Sequence, residues 1–164
     1  MFVFGHAGLT VAAVRAVDRD IDLRWAVLLA WAPDLIDKPV RVLLPALVSH
    51  NTRSFGHSLL VSLVVLAALL AWRRRPKEAL ILWGCFAGHF LLDSMWLHPS
   101  PAVLLWPLLG DFPAPVRGPM LSWLTAWNAS GELAGLAVLH RLAKRHGLLD
   151  RPRLLAYLRS GRLA

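Results

Sequence analysis

Between Gly56 and Trp72 no Asp, Glu, Lys or Arg interrupts the chain, and Arg73-Arg74-Arg75-Pro76-Lys77 then stops the apolar run abruptly. A stretch of that kind needs either a large protein core or lipid around it. The chain has 164 residues, of which 57% are hydrophobic and only 17% charged. A soluble domain of this size has no interior large enough to hide so much apolar surface. The pattern therefore predicts an all-α fold, a polytopic helical membrane bundle. The single cysteine, Cys85, excludes an internal disulfide and reads as a small core hydrophobe.

The remaining segments fit around that run. Phe2 to Val17 and Trp25 to Ala32 are short apolar arms joined by a polar turn from Asp18 to Arg24. They predict a helical hairpin, tilted or partly inserted, that ends at Pro33. No basic region precedes the first arm, so it is not read as a cleaved signal peptide. Lys38 to Phe55 reads as a loop with a short amphipathic piece. Ala79 to Leu97 is the next span, closed by His98-Pro99-Ser100-Pro101, because proline cannot continue the helical ladder. Ala102 to Gly110 is too short to cross and suits a re-entrant or interfacial segment. Pro119 to His140 is long enough to span, with Glu132 inside it. The expectation is about five membrane helices in residues 1–140. A basic tail follows over 141–164, where Leu154, Leu155 and Leu158 form a stripe suited to a membrane surface.

A formal charge of +8 raises the question of nucleic acid, and the positions of the cations answer it. Fourteen of the eighteen Lys and Arg residues fall in the first turn, the loop after Trp72 and the tail; only Lys38, Arg41, Arg53 and Arg117 fall on the other side. That bias predicts an inner-membrane protein with a cytoplasmic C-terminus and an outside N-terminus. It makes membrane lipid the expected partner, with anionic headgroups at the basic tail and no nucleic acid. Trp25, Trp31, Trp72, Trp96, Trp106 and Trp123 fall near predicted span ends, as an interfacial belt requires.

This topology brings His6, Asp34, Asp37, His57, His89 and Asp93 to similar depth on the non-cytoplasmic side. His89 and Asp93, four apart, share one face of a helix. A carboxylate at membrane depth is costly and usually marks a site. His and carboxylate together are the ligand set of zinc, and also of manganese or non-haem iron. Each residue has a plainer reading: Asp34 and Asp37 as turn or cap residues after Pro33, His89 with Asp93 as a structural pair, Arg53 as a snorkelling cation. Glu132 is equally a structural hydrogen-bonding group, a late ligand or a general base.

Gly5-His6-Ala7-Gly8, Pro33-Asp34-Leu35-Ile36-Asp37, Arg53-Ser54-Phe55-Gly56-His57-Ser58-Leu59-Leu60, Gly88-His89-Phe90-Leu91-Leu92-Asp93-Ser94 and Leu104-Leu105-Trp106-Pro107 recur in a known order. Over residues 1 to 140 the chain resembles the inner-membrane metal-dependent hydrolase family whose best-known bacterial members are named for regulation by the LexA repressor. The resemblance implies a membrane-embedded bundle with a divalent metal, zinc foremost, hydrolysing an ester or phosphoester such as a lipid headgroup. It implies His6, Asp34, His57, His89 and Asp93 as ligands or their neighbours. Asp37 or Glu132 would be the base, and Arg53 would meet developing charge on the substrate. The chain departs from the family pattern at Thr52, where family members carry His, and at Met95-Trp96-Leu97-His98. Two other classes compete: a His/Asp relay that conducts protons or ions, and a non-catalytic membrane adaptor.

Overall fold

The computed structural model describes residues 3–44, 53–73, 75–97, 100–112 and 125–163. Among them are seven helices and no strand: α1 (Val3–Val17), α2 (Leu23–Leu43), α3 (Leu59–Trp72), α4 (Pro76–Leu92), α5 (Ser100–Leu104), α6 (Ala126–Arg145) and α7 (Arg151–Ser160). A 3-10 turn at Phe55–His57 precedes α3. The chain divides into two compact units, one from Met1–Ala30 with Met120–Ala164 and the other Trp31–Pro119.

In the first unit α1 and α6 run parallel, with their small residues at the contact. A Cβ on Gly8 would strike the Gly135 backbone, and one on Gly135 would strike the carbonyl of Phe4. Glycine at both positions lets the two backbones meet, which adds dispersion contacts wherever it occurs. Glu132 of α6 accepts hydrogen bonds from the N–H groups of Phe4 (3.0 Å) and Gly5 (2.8 Å). These are orphan donors of the first turn of α1, so Glu132 caps that helix across 127 residues of sequence. The tail is also held. Arg24 donates to the carbonyls of Leu158 (2.7 Å) and Arg159 (3.0 Å), the Leu23 N–H donates to the carbonyl of Gly161, and Asp22 orients the Arg24 guanidinium at 2.6 Å. Gly161 ends α7 at φ +69, a conformation that favours glycine. Leu154, Leu155 and Leu158 stay exposed on α7, where the surface stripe was expected.

In the second unit α3 and α4 form a hairpin around Leu69, Leu82 and Phe86. The Trp83 indole N–H reaches both the Ser62 carbonyl (3.1 Å) and its hydroxyl (2.9 Å), pinning the two helices together. Phe55, Trp106 and Phe112 pack ring to ring at 4.9 to 5.3 Å, with Phe55 edge-on to the other two. Trp106, expected in an interfacial belt, is thus a packing residue that holds the 3-10 turn. Trp123 lies outside the described residues.

Two expectations are corrected. α2 does not end at Pro33 but continues to Leu43 through Pro33 and Pro39. A proline inside a helix costs ~3 kcal/mol; Pro33 is buried, and its carbonyl packs against Gly56 beside the bonds Asp37 makes. Second, the expected spans are shorter or more polar as helices than as apolar runs. Ser58 caps α3, leaving 14 residues, and Ser94 in the left-handed region (φ 54) turns the chain after α4, which has 17. At 1.5 Å per residue these helices measure about 21 and about 26 Å, against a hydrocarbon core of ~30 Å. α6 has 20 residues but carries Asn128, Glu132, His140 and Arg141. Among the described residues no helix is long and apolar enough to cross a membrane. The apolar surface is there all the same: on α3, Leu60, Leu63 and Val64 are 45%, 56% and 60% exposed.

Candidate metal centre

Asp34 and Asp37 leave α2 one turn apart, on the face turned toward the 3-10 turn. That turn approaches closely because residue 56 is glycine; a Cβ there would strike the Pro33 carbonyl. Asp37, 1% exposed, is consequently surrounded by donors. It accepts from the Ser54 N–H (2.6 Å), the Ser54 hydroxyl (2.8 Å), the Gly56 N–H (2.6 Å) and His57 Nδ1 (2.6 Å). The carboxylate therefore fixes His57 with its proton on Nδ1 and its lone pair on Nε2.

His57 Nε2 points at the end of α4. It lies 3.1 Å from His89 Nε2, 3.8 Å from Asp93 Oδ2 and 3.9 Å from Asp34 Oδ1. His89 Nε2 in turn lies 3.7 Å from Asp93 Oδ2. Asp93 is the C-cap of α4, so the i, i+4 pair survives although the helix stops there. Ligand atoms of Asp34, His57 and His89 all fall within 4.8 Å of one another, with both histidines buried. Bonds of 2.0–2.1 Å to a tetrahedral zinc place neighbouring nitrogens about 3.3 Å apart. The two imidazoles already stand close to that spacing, and the carboxylate oxygens of Asp93 and Asp34 lie 3.8 and 3.9 Å from His57 Nε2. Two nitrogens and two carboxylate oxygens form a donor set that can hold a divalent ion.

The cations lie around the rim. Arg53 Nη2 donates to Asp93 Oδ2 at 3.0 Å, and Lys38 Nζ pairs with Asp34 Oδ2 at 2.8 Å. Exposure grades across the site: Asp34 is 30% exposed and Asp93 7%, while the Asp37 side chain is fully covered. Solvent thus reaches the cluster from the Asp34 side, beside Lys38.

The structure brings together Asp34, Asp37, Arg53, His57, His89 and Asp93 of the sequence candidates. With both oxygens committed to four donors, Asp37 has no lone pair directed at a water; its place is behind His57. The Glu132 carboxylate is occupied by the α1 N-terminus. His6 is buried on α1, and both it and Glu132 belong to the first unit. His50, Thr52 and His98 lie outside the described residues. Ser54 and Lys38 escaped the sequence reading. Ser54 adjoins Arg53 in the motif, a cue to its position, but its bond to Asp37 spans 17 residues.

Neither curated proteins nor solved structures give a match to this chain. A family model described as YdjM inner membrane protein matches residues 1–156. That name accords with the lipid-like exposure of α3. By this match over nearly its whole length, the chain belongs to the YdjM inner membrane protein family.

Proposed function

We propose that the protein is a membrane-bound, divalent-metal-dependent hydrolase acting on a phosphoester, with a lipid headgroup as the natural substrate. The observation that carries this reading is the convergence of His57 Nε2, His89 Nε2, Asp34 Oδ1 and Asp93 Oδ2, with Asp37 locked behind His57. Those four residues would hold the ion, and zinc is among the divalent ions that a histidine and carboxylate donor set suits. Bound there, a divalent ion supplies Lewis acidity, lowering the pKa of a water and polarising the ester oxygen.

The chain's own groups do the rest. Asp37 keeps the His57 lone pair aimed inward, so no binding energy is spent reorienting the ring. Arg53 holds Asp93 in place and, 31% exposed, brings positive charge to the rim that an anionic substrate would meet. Lys38, 67% exposed, adds a second cation at the solvent side. Two cations at the rim favour a phosphoester over a neutral carboxylic ester, because only the former brings negative charge. Asp34, the most exposed carboxylate of the cluster, would hold the ion from its open side.

The test is metal content of protein purified in uncharged detergent, followed by hydrolysis of a chromogenic phosphodiester. Wild type should retain stoichiometric zinc or manganese; His57→Ala and His89→Ala should lose both the metal and the activity. Wild-type protein that stays bare when either metal is offered would overturn the reading. The 3.1 Å His57–His89 contact in line with Asp37 also has the form of a proton relay. Proton flux through reconstituted vesicles, lost in His89→Ala and indifferent to chelator, would favour that second reading.

A further inference from the structure

The basic ends of α1 and α6 meet in a groove of ≈ 260 Å³ in the first unit. Arg15 and Arg19 reach it from α1, Arg141 and Arg145 from α6, with Val138 and Leu142 among the apolar lining. Four guanidinium groups around one small volume repel one another. The two helix C-termini that end here offset only part of this, about half an elementary charge each, against four positive charges. No ion pair to any of the four is present among the described residues. Arg15 is the most enclosed. Its Nη2 lies 3.4 Å from His146 Nε2, and its Nη1 is buried with no hydrogen-bond partner. Leaving a buried guanidinium N–H unmade is costly, so the site suits an acceptor that comes from outside the chain.

We propose that this groove binds a phosphate group. Inorganic phosphate or a phosphomonoester carries about −1.5 to −2 charge and three strong acceptor oxygens, and a phosphodiester headgroup about −1 with two; either meets the surplus of donors and positive charge. Guanidinium forks recognise it bidentately. The apolar wall of Val138 and Leu142 fits a phosphate attached to a lipid, and basic pockets between membrane helices commonly take anionic headgroups. A soluble phosphate presents the same oxygens without using that wall. The site lies wholly within the first unit and is independent of the His/Asp cluster.

The experiment uses the full chain in uncharged detergent and three probes: dihexanoyl phosphatidylglycerol, its phosphatidylcholine counterpart, and inorganic phosphate. Saturable binding of phosphatidylglycerol or phosphate is expected, with phosphatidylcholine weaker because its headgroup carries a compensating cation. Arg15→Gln combined with Arg141→Gln should weaken binding by about tenfold or more. Arg141→Gln alone, at an exposed position, should weaken it severalfold. Phosphatidylglycerol at least about tenfold tighter than inorganic phosphate assigns a lipid; equal affinity assigns a soluble phosphate. The proposal is overturned if neither anion saturates. It is also overturned if Arg151→Gln with Arg159→Gln on α7 reduces binding as much as the groove variants, since that would report net charge alone.

Discussion

Asp37 accepts four hydrogen bonds from one short stretch of chain, so changes there should be felt at the metal before they are felt in the fold. In Asp37→Asn the shape is kept, but an amide NH2 must face N–H groups of Ser54, Gly56 or His57. One buried donor is then unsatisfied, at about 1–3 kcal/mol, and the His57 tautomer is no longer fixed. Metal affinity should fall ~10–100-fold, measured by competition against a chromogenic chelator. Wild-type affinity in Asp37→Asn would show that His57 needs no such support. Gly56→Ala should act through the same contact, because its Cβ would strike the Pro33 carbonyl and lie 3.0 Å from Asp37 Oδ1. Destabilisation by about 1–3 kcal/mol is expected, with a matching loss of metal. Gly88→Ala is the control: a Cβ there meets nothing within 4 Å, so the melting temperature should hold or rise slightly. At this scale the sequence reveals which residue types gather, since His89 and Asp93 are one helical turn apart and Pro33 marks Asp34 and Asp37. It does not reveal who faces whom. Asp37 is assigned to His57 and Arg53 to Asp93 by contacts that span 20 and 40 residues, which no local spacing encodes.

Single helices here depend on partners far along the chain. Glu132 caps α1 from α6, so Glu132→Ala should cost about 0.5–2 kcal/mol, the range for a lost N-cap. Glu132→Gln, which keeps an acceptor oxygen, should cost less; thermal melts of both variants decide it. Helix α7 is docked through the Asp22–Arg24 pair, and this makes its docking sensitive to acid. Burial acts to raise the Asp22 pKa, but the hydrogen bonds and charge of Arg24 outweigh it and hold the carboxyl below its usual range. A group depressed in the folded state contributes stability above its unfolded pKa of about 3.9 and loses it as pH falls through the folded value. Hydrogen exchange over residues 151–160, corrected for intrinsic rate, should therefore speed up below about pH 4. Asp22→Asn should exchange fast at neutral pH too. The helices themselves are largely legible from apolar runs and punctuation. Their lengths are not: Pro33 reads as a stop although tertiary bonds carry α2 past it, and Ser94 ends α4 in a left-handed conformation that no periodicity announces.

For the molecule as a whole, short helices have to be reconciled with a membrane. An α3–α4 hairpin of about 21 and 26 Å with bare leucines on its surface is stable in lipid only if the bilayer thins around it or the flanking chain completes the passage. Either way the protein should stay in the pellet after alkaline carbonate extraction. Orientation is the sharper matter, because it decides which compartment the Arg groove faces. Fourteen cations against four is a large bias, and the parallel run of α1 and α6 puts two of the cationic groups, at Arg15–Arg19 and Arg141–Arg145, at the same end of the first unit. Holding that end in the cytoplasm is favoured by the anionic inner leaflet, at about 1 kcal/mol per cation near the surface. A C-terminal alkaline phosphatase fusion, active only outside, should therefore be silent, while a C-terminal green fluorescent protein fusion should glow. Replacing Arg73, Arg75 and Lys77 by glutamine removes three of the fourteen and should leave the result unchanged, since eleven against four is still a decisive excess. An active phosphatase fusion on the wild-type chain would reverse the topology. The Arg groove would then face the outside.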